Sequence, residues 1–434
     1  MKVVCKNGMK SKFCSIIGSQ WGDEGKGKLT DILSEHYDVV ARFNGGNNAG
    51  HTIVANGKKY AFHLLPSGAL NEKAINLIGN GVVVNLEGLK SELDKLKESG
   101  VKLNLKISDK AHLVFKCHSE ADVEQEVLSG NDAIGTTRKG IGPCYATKAR
   151  RTGLRMGDLF NMSSFEVKYN FLLKSMNKDI NNSVYKEELE KIRSFSSYLI
   201  ENGMITDTIS LLSDKIKNGK RILAEGANAT MLDIDFGTYP YVTSSSTSIG
   251  GVITGLGVSP KSIETVVGIS KAYTTRVGSG PFPTECVNED QKIGEVIRGI
   301  GREFGTTTGR PRRCGWFDVP VVKYTNAING FTSINLTKLD VLSTLKSIKI
   351  CIGYRKKNGS NFEKLYPSGL EELSSVEPIY EVLPGWESDI SKITEFKKLP
   401  TNCIRYVERV ENLLGVPISW IGTGPERESM ILRV

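Results

Sequence analysis

A short glycine-rich segment near the start of the chain combines residues that bind phosphate with two carboxylates. Residues 18–29 read GSQWGDEGKGKL, which almost spells the phosphate loop G-x-x-x-x-G-K followed by serine or threonine. Leu29 occupies the place of the metal-binding hydroxyl, and Asp23 and Glu24 put negative charge inside the turn. A carboxylate there can hold Mg²⁺ against a phosphate or act as a base. The competing interpretation is an ordinary strand–helix turn with a surface acid pair, which the four glycines and two lysines disfavour.

A second polar loop, GGNNAGHT (residues 45–52), contains a histidine among small residues. A histidine in such a loop is poorly placed to belong to the core. We therefore expect His51 to donate a proton or to contact phosphate.

A third loop, GTTRKGIGP (135–143), precedes the basic run KARR (148–151). Hydroxyls, glycines and arginines together suit a phosphate monoester. Taken alone, however, this segment is better explained as a glycine turn followed by a solvated basic helix end.

The fourth and fifth segments differ in what they indicate. In residues 225–246, Asp233 and Asp235 are predicted only to cap or brace a turn. Residues 305–315 (GTTTGRPRRCG) carry three hydroxyls and three arginines between glycines, as in a mobile lid for carboxylates or phosphates. Binding to a nucleic-acid backbone is the competing use, but no aromatic residues interleave with the arginines.

The sixth segment, TKLD (337–340), follows an apolar run and resembles the N-K-x-D signature of guanine-nucleotide proteins. A carboxylate can accept hydrogen bonds from both N1–H and the 2-amino group of guanine. With a phosphate loop in the same chain, this segment favours GTP over ATP.

Buried strands are predicted to position these loops. FCSIIG (13–18) reads as a strand that leads into the glycine turn, and a helix is predicted from Lys26. The other predicted strands are YDVVARF (37–43), INLIGNGVVV (75–84), RILAEGA (221–227), ETVVGISKAY (264–273) and SINLTKLDVL (333–342). Three surface helices are predicted between about 160 and 218. This order predicts an α/β fold with a large, mostly parallel central sheet, in one continuous domain over residues 1–434 with helical insertions.

The bulk composition limits the class of protein. The 434 residues are 39% hydrophobic and 24% charged, and 57 basic against 48 acidic residues give a net charge of +9. The excess suits an anionic partner without choosing among nucleotide, nucleic acid and membrane surface. The eight cysteines form no C-x-x-C pair, and no apolar run of about 18 residues or secretory leader is apparent. We therefore expect a cytoplasmic protein without a membrane span.

The motifs together resemble the adenylosuccinate synthetase (IMP–aspartate ligase) family over essentially the whole chain. They occur in the family's order: WGDEGKGK, NNAGHT, GIGP-x-Y, LDIDFGTYPYVTSS, GTTTGRPRRCGW, LTKLDVL and GTGPER. The resemblance implies GTP-dependent joining of IMP and L-aspartate, which gives adenylosuccinate, GDP and phosphate on the way to AMP. It implies two steps, phosphorylation of O6 of IMP and displacement of that phosphate by the aspartate amine.

The resemblance also assigns roles to residues. Asp23 matches the base that removes the N1 proton of IMP, His51 matches the acid that stabilises the transferring phosphoryl group, and Lys26 belongs to the same catalytic set. The implied cofactor is Mg²⁺, held by Asp23 and the Gly50 carbonyl. The implied partner is a second copy of the chain, because Arg151 matches an arginine that reaches the partner's IMP site. No nucleic-acid or membrane partner is implied.

The implied substrate contacts fall into three sets. The GTP-binding positions are Gly22, Glu24, Gly25, Gly27, Lys28, Gly50, Thr52, Arg312, Lys338, Leu339, Asp340, Gly422, Thr423 and Gly424. The IMP-binding positions are Asp23, Lys26, Asn48, His51, Thr137, Arg151, Asn228, Thr243 and Arg310. The aspartate-binding positions are Thr306, Thr307, Thr308, Gly309, Arg310 and Arg312.

The sequence departs from the family pattern at two of these loops. Asn228 stands where glutamine is expected, which shortens an IMP contact by one methylene. Arg138 replaces a glycine, which removes backbone freedom and adds a charge near the IMP phosphate. Residues 1–12 and much of 160–218 match no family motif.

Two other functions compete with the ligase. A GTP-dependent regulatory switch explains the phosphate loop and TKLD but gives no purpose to NNAGHT or the arginine loop. A nucleic-acid-binding protein would use the positive charge and bind oligonucleotides with strong salt dependence, but it leaves Asp23, Glu24 and His51 unexplained.

Overall fold

The structure is a computed structural model that describes residues 11–55, 58–130, 133–305 and 309–433. The side chains of residues 51–55 and 58–59 fall outside this description.

The described ranges contain nineteen β-strands, most of them short and buried. In chain order they are β1 (Phe13–Gly18), β2 (Val39–Arg42), β3 (His51–Ala55), β4 (Lys58–Phe62), β5 (Ile75–Ile78), β6 (Val83–Asn85), β7 (Leu105–Ser108), β8 (His112–Val114), β9 (Ile205–Thr206), β10 (Ile222–Glu225), β11 (Thr265–Lys271), β12 (Thr274–Arg276), β13 (Arg313–Gly315), β14 (Phe317–Asp318), β15 (Ser333–Thr337), β16 (Ser347–Lys356), β17 (Val376–Pro384), β18 (Ile418–Gly422) and β19 (Met430–Leu432).

The same ranges contain twelve α-helices, joined by short 3₁₀ turns and loops. They are α1 (Lys26–Ser34), α2 (Leu86–Glu98), α3 (Lys116–Ser129), α4 (Ile141–Arg150), α5 (Met162–Ser175), α6 (Ser183–Glu201), α7 (Thr208–Lys217), α8 (Ile249–Leu256), α9 (Gln291–Gly301), α10 (Val319–Asn329), α11 (Leu370–Ser375) and α12 (Thr401–Leu414).

Ten of the strands form one sheet, in the order β19-β18-β15-β11-β1-β10-β2-β5-β7-β9. Every neighbouring pair is parallel except β18 with β19. Strands β1, β2, β10, β11 and β15 are buried along their whole length, as expected for strands covered on both faces. The predicted α/β fold with a large, mostly parallel sheet is confirmed.

Four of the six predicted strands occur at nearly the predicted positions. SINLTKLDVL is a strand only over Ser333–Thr337, because Lys338 has a left-handed backbone and Leu339–Leu342 form a 3₁₀ turn. The remaining predicted strand is divided. The run INLIGNGVVV forms β5 of the large sheet and β6 of a separate two-stranded sheet with β8. The break falls at residues 79–81, where a Cβ on Gly79 would lie 2.4 Å from the Gly255 carbonyl oxygen and one on Gly81 only 2.2 Å from that of Phe43. The glycines therefore allow three backbone segments to meet, which a continuous strand would prevent.

The three predicted helices between 160 and 218 are confirmed as α5, α6 and α7. We call α5 and α6 the helical layer. Phe165 and Tyr169 of α5 are buried, and their rings lie 6.2 and 5.0 Å from the ring of Phe115, which precedes α3. Both helices begin at an asparagine cap. Asn161 Oδ1 accepts a hydrogen bond from Ser164 N–H in α5, and Asn182 Oδ1 accepts one from Val184 N–H in α6. That the chain forms one continuous domain stays a prediction.

Candidate active site

A cleft of about 580 Å³ opens where the central strands end. Its walls are the loops that follow β1, β2, β10, β15 and β18, together with parts of residues 135–137 and 301–312. All six segments that the sequence singled out contribute to this lining. In open α/β sheets ligands bind at the carboxyl ends of the strands, so the topology and the cleft indicate the same site.

The loop between β1 and α1 has the backbone of a phosphate-binding turn. Gly22 and Gly25 have φ angles of 93° and 84°, and Asp23 between them has φ of 59°. A non-glycine residue in this left-handed region is uncommon and is enriched at functional sites. Helix α1 then begins at Lys26, with its amino end at the cleft, where N–H groups and the helix dipole favour an anion.

The two acids of this loop do different work. Glu24 is fully buried; Oε1 accepts from the N–H groups of Gln20 (3.1 Å) and Gly22 (2.9 Å), and Oε2 from Lys26 Nζ (2.7 Å). Asp23 lies exposed in the cleft. Glu24 therefore holds the turn in shape, and Asp23 is the carboxylate that a ligand can reach.

Asp23 has an arginine partner across the cleft. Its Oδ2 lies 2.8 Å from Nε of Arg312, and Nη1 of Arg312 donates to Glu303 Oε2 at 2.6 Å. Burial acts to lower the pKa of the Arg312 guanidinium, but the charges of Asp23 and Glu303 outweigh it and raise the pKa. A fixed positive charge thus faces the exposed carboxylate of the loop.

The second loop enters the same cleft but is not adjacent to the first, because β10 lies between β1 and β2. Buried Arg42 anchors this loop by donating from Nη2 to the Gly46 carbonyl (2.7 Å) and from Nε to that of Asn44 (3.3 Å). Asn228, after β10, fills the space between the two loops, with φ of 61°. Its Oδ1 is buried and has no hydrogen-bond partner among the described residues, which suits a ligand contact.

At the other end of the cleft, Lys338 follows β15 in a left-handed conformation with φ of 57°. Burial is the main cause that raises the pKa of the Asp340 carboxyl nearby. Lys28 connects this end to the phosphate loop, because its Nζ donates to the carbonyls of Gly424 (2.9 Å) and Ser429 (2.8 Å). Burial lowers the pKa of Lys28 to about 8.

The arginine segment contacts the third loop. Nη2 of Arg310 donates to the Gly135 carbonyl at 2.9 Å, and Thr137 lines the cleft beside it. Arg138 has φ of 56° and an exposed side chain, so its backbone keeps the conformation that favours glycine.

Most of the predicted site residues meet in this cleft. Those in its lining are Gly22, Asp23, Gly25, Lys26, Gly27, Lys28, Asn48, Gly50, Thr137, Asn228, Arg310, Arg312, Lys338, Gly422 and Gly424.

Other predicted residues do not line it. They are Glu24, Arg151, Thr243, Gly309, Leu339, Asp340 and Thr423. Thr243 lies behind the lining, because its N–H donates to the carbonyl of Leu232, whose side chain borders the cleft. Arg151 is exposed at the end of α4 and does not line the cleft of its own chain. Thr306, Thr307 and Thr308 lie outside the described residues, as do the side chains of His51 and Thr52.

The brace predicted for Asp233 is confirmed. Its Oδ1 accepts from the N–H groups of Asp235 (2.9 Å) and Phe236 (3.2 Å), and its Oδ2 from those of Thr247 (2.6 Å) and Ser248 (3.0 Å). Four amides on one buried carboxylate fix the fourth segment beside the cleft.

Sequence reasoning missed three buried charged residues that hold the site: Arg42, Lys271 and Glu303. Arg42 and Lys271 lie in apolar strands, and Glu303 lies two residues before the arginine segment; none of them belongs to a motif. The only available signal was their type, because lysine, arginine and glutamate are rarely fully buried unless they are paired.

The family model described as adenylosuccinate synthetase matches residues 15–431. A protein named adenylosuccinate synthetase from Paramecium tetraurelia is 54% identical over 432 residues, covering 99% of both chains. Adenylosuccinate synthetase 2, chloroplastic, from Sorghum bicolor is 51% identical over 98% of this chain and 87% of its own.

Two solved structures are similar. Fully ligated adenylosuccinate synthetase from Plasmodium falciparum superposes with a TM-score of 0.92 at 46% identity, covering 98% of this chain and all of that one. Succinoaminodeoxyadenylate synthetase of cyanophage S-2L, at 21% identity and a TM-score of 0.62, shares the fold. No helix within the described ranges has the length and apolar character needed to cross a membrane.

Proposed function

The chain belongs to the adenylosuccinate synthetase family, and from this premise we propose how its cleft carries out the reaction. The enzyme is a ligase of AMP synthesis that binds GTP and joins IMP to L-aspartate, forming adenylosuccinate. The observation that carries the proposal is the position of Asp23, an exposed carboxylate inside a phosphate-binding turn, opposite Arg312 at 2.8 Å.

In the first step Asp23 takes the N1 proton of IMP, so that the electron pair moves to O6. O6 then forms a bond to the γ-phosphorus of GTP, and the bond to the β,γ-bridging oxygen breaks to release GDP. This phosphorylation is needed because the oxo group of a purine is a poor leaving group until it carries a phosphoryl group. The amine of aspartate next attacks C6, phosphate departs, and the amine loses a proton. His51 is the proposed acid that stabilises the transferring phosphoryl group, and Lys26 is proposed to belong to the same catalytic set.

The GTP end is proposed from the phosphate loop and the far strands. Residues 22–28 would bind the phosphates through backbone N–H groups, Lys26 and Lys28, while Glu24 acts through the shape of the turn. Gly50, Thr52 and Arg312 complete the proposed phosphate contacts. Guanine would lie against residues 338–340 and 422–424, with Asp340 reading its N1–H and 2-amino group.

The IMP and aspartate ends are proposed on the opposite side of Asp23. The proposed IMP contacts are Asn48, Thr137, Asn228, Thr243 and Arg310. Support for one of them comes from Asn228, whose Oδ1 is buried without a hydrogen-bond partner in the described part of the chain. The aspartate carboxylates would bind residues 306–309 with Arg310 and Arg312, since guanidinium groups pair with carboxylates in two-pronged fashion.

The donor groups in the cleft fit a magnesium ion of the kind that nucleotides bring with them. Mg²⁺ usually takes one or two carboxylates together with substrate phosphates and water. The described residues contain no group of three or more His, Cys, Asp or Glu side chains that could form a cage, whereas Asp23 and Gly50 both line the cleft. We propose that Asp23 and the Gly50 carbonyl hold Mg²⁺, which would supply charge neutralisation to the phosphates.

We also propose a homodimer in which Arg151 enters the partner's IMP site. Its exposed position at the end of α4, outside its own cleft, is compatible with use by another chain. A cytoplasmic location is proposed too, although several relatives are named chloroplastic.

The decisive experiment follows the purine ultraviolet spectrum of purified enzyme mixed with GTP, Mg²⁺, IMP and L-aspartate. We expect a spectral change, as nitrogen replaces O6, that requires all four components. GTP hydrolysis indifferent to IMP and aspartate would instead identify a switch, and salt-dependent oligonucleotide binding without turnover would identify a nucleic-acid-binding protein.

The shared site is tested by mixing inactive variants. Asp23→Ala and Arg151→Leu chains damage different parts of one composite site, so hybrid dimers should recover partial activity. Failure to recover activity after verified subunit exchange would contradict the role of Arg151 across the interface.

A further inference from the structure

One buried carboxylate outside every motif contacts two cationic side chains that line the cleft. Glu303 is fully buried. Its Oε1 accepts from Lys338 Nζ (2.6 Å) and Tyr273 Oη (2.5 Å), and its Oε2 accepts from Arg312 Nη1 (2.6 Å). Lys271 Nζ lies 3.2 Å from both oxygens. Every lone pair of the carboxylate therefore faces a donor.

The charges around Glu303 keep it ionised. Burial acts to raise the pKa of the Glu303 carboxyl, but the charges of Lys271 and Lys338 outweigh it and hold the pKa well below its ordinary value. Burial lowers the pKa of Lys271 to about 8, because its ammonium group lies wholly inside the protein. A buried carboxylate with this many cationic donors is held in one place, since each partner would lose its charge pair if it moved.

The partners divide into two pairs. Lys271 and Tyr273 are fully buried and do not line the cleft, so their contacts with Glu303 hold the carboxylate from the core side. Arg312 and Lys338 do line the cleft, Arg312 opposite the phosphate loop and Lys338 after β15. Glu303 thus connects the core to two neighbouring cationic side chains of the cleft, one that faces Asp23 and one that follows β15.

Glu303 also closes the base of the arginine segment. Its carbonyl accepts from the N–H of Arg312 (2.9 Å), and Gly305 N–H donates to the Arg310 carbonyl (2.8 Å). The side-chain pair of Glu303 with Arg312 reinforces this backbone pairing between residues 303–305 and 310–312.

We propose that Glu303 is a positioning residue for the reaction: one carboxylate aligns Arg312 toward the aspartate substrate and Lys338 toward the guanine nucleotide. This rests on the roles given to Arg312 and Lys338 in the proposed function. A group that orients residues in contact with the ligand commonly changes affinity by about 10- to 100-fold when it is altered.

The test is Glu303→Gln, which keeps the size of the side chain and removes its charge. We expect KM for GTP and KM for aspartate each to rise about tenfold, while KM for IMP stays within about threefold. A merely structural role would lower Tm and the amount of active enzyme and leave all three KM values unchanged. Unchanged KM for both GTP and aspartate would therefore overturn the proposal.

Glu285→Gln is the matched control. It makes the same chemical change and breaks an ion pair to Arg313, the arginine next to Arg312, with Nη2 of Arg313 2.5 Å from Oε2 of Glu285. Neither Glu285 nor Arg313 lines the cleft, so all three KM values should match those of the unaltered enzyme. Equal KM increases in both variants would mean that general loosening causes the effect, and would overturn the proposal.

A second variant covers a failure to fold. Glu303→Asp keeps the charge that the buried lysine needs but is shorter by one methylene, so it cannot reach both Arg312 and Lys338. KM for GTP or for aspartate should still rise, and normal values for both would overturn the proposal.

The proposed function is tested separately from the positioning role. The unaltered enzyme must form adenylosuccinate, and Arg312→Leu must raise KM for aspartate. If both hold while Glu303→Gln behaves normally, only the positioning role fails.

Discussion

The cleft and the helical layer of α5 and α6 follow opposite rules. In the helical layer, asparagine caps start both helices and buried aromatic residues fill one face, as local preference dictates. In the cleft, Asp23, Asn228 and Lys338 take left-handed conformations that glycine prefers. Local preferences are thus followed at the starts and the buried faces of these two helices and broken at three positions of the cleft. Changes in the two regions should therefore have separable effects.

The largest expected effect is the loss of turnover in Asp23→Asn. Removal of the proton acceptor should lower kcat by about 10²- to 10⁴-fold. Stability should change by less than about 1 kcal/mol, because the ion pair with Arg312 is partly exposed on the Asp23 side. Steady-state kinetics and thermal melting measure the two quantities.

Asp158→Asn is the matched control for Asp23→Asn. Asp158 pairs with Lys168 of the helical layer at 2.5 Å, outside the cleft lining. This control should keep normal kcat. A comparable loss of kcat in both variants, or near-normal turnover in Asp23→Asn, would break the comparison.

The next largest effect is on stability alone. Phe165→Ala in α5 removes a fully buried ring that packs on Phe115 and Tyr169. The free energy of unfolding should fall by roughly 3–5 kcal/mol, since a cavity adds to the lost transfer energy. Urea unfolding followed by circular dichroism measures this. KM for all three substrates should stay the same, and a selective rise in one of them would contradict the separation of the two regions.

A smaller effect should appear as a pH dependence in the cleft. Because burial places the pKa of Lys28 at about 8, its charge is lost as the pH rises through 8. GTP favours the charged form, so KM for GTP should rise about tenfold between pH 7 and pH 9. Lys28→Arg stays charged throughout and should flatten this rise. Equal slopes in both proteins would exclude Lys28 as the titrating group.

The smallest effect is a gain in stability from Arg138→Gly. Arg138 has φ of 56° and an exposed side chain, so glycine removes the cost of a left-handed residue, about 1 kcal/mol after its own entropy loss. Tm should rise by about 1–2 °C in a protein of this size, with KM for IMP within about twofold. A lower Tm would show that the arginine side chain stabilises the loop.

The sequence predicted the central strands β1, β2, β10, β11 and β15, four of the helices (α1, α5, α6 and α7) and the loops of the cleft, because each left a local pattern. Hydrophobic runs marked the strands, and glycines with lysines marked the phosphate turn. What it could not predict depends on distant contacts. The different burial of Asp23 and Glu24 becomes visible only when the turn is folded. Glu303 has no motif, and its partners come from residues 271–273, 312 and 338. The split of INLIGNGVVV likewise required knowledge of which backbones cross at Gly79 and Gly81.

The positive φ angles at Asp23, Asn228 and Lys338 limit how far the thermal stability of this enzyme can be raised. Glycine at any of the three would relax the backbone but remove the atom on which the proposed chemistry depends. Arg138 has the same left-handed backbone conformation, but no part of the proposed chemistry depends on its side chain. Stabilising substitutions should therefore be sought at Arg138 and in the helices. The conformational strain at the other three positions must be retained, because the proposed activity needs their side chains.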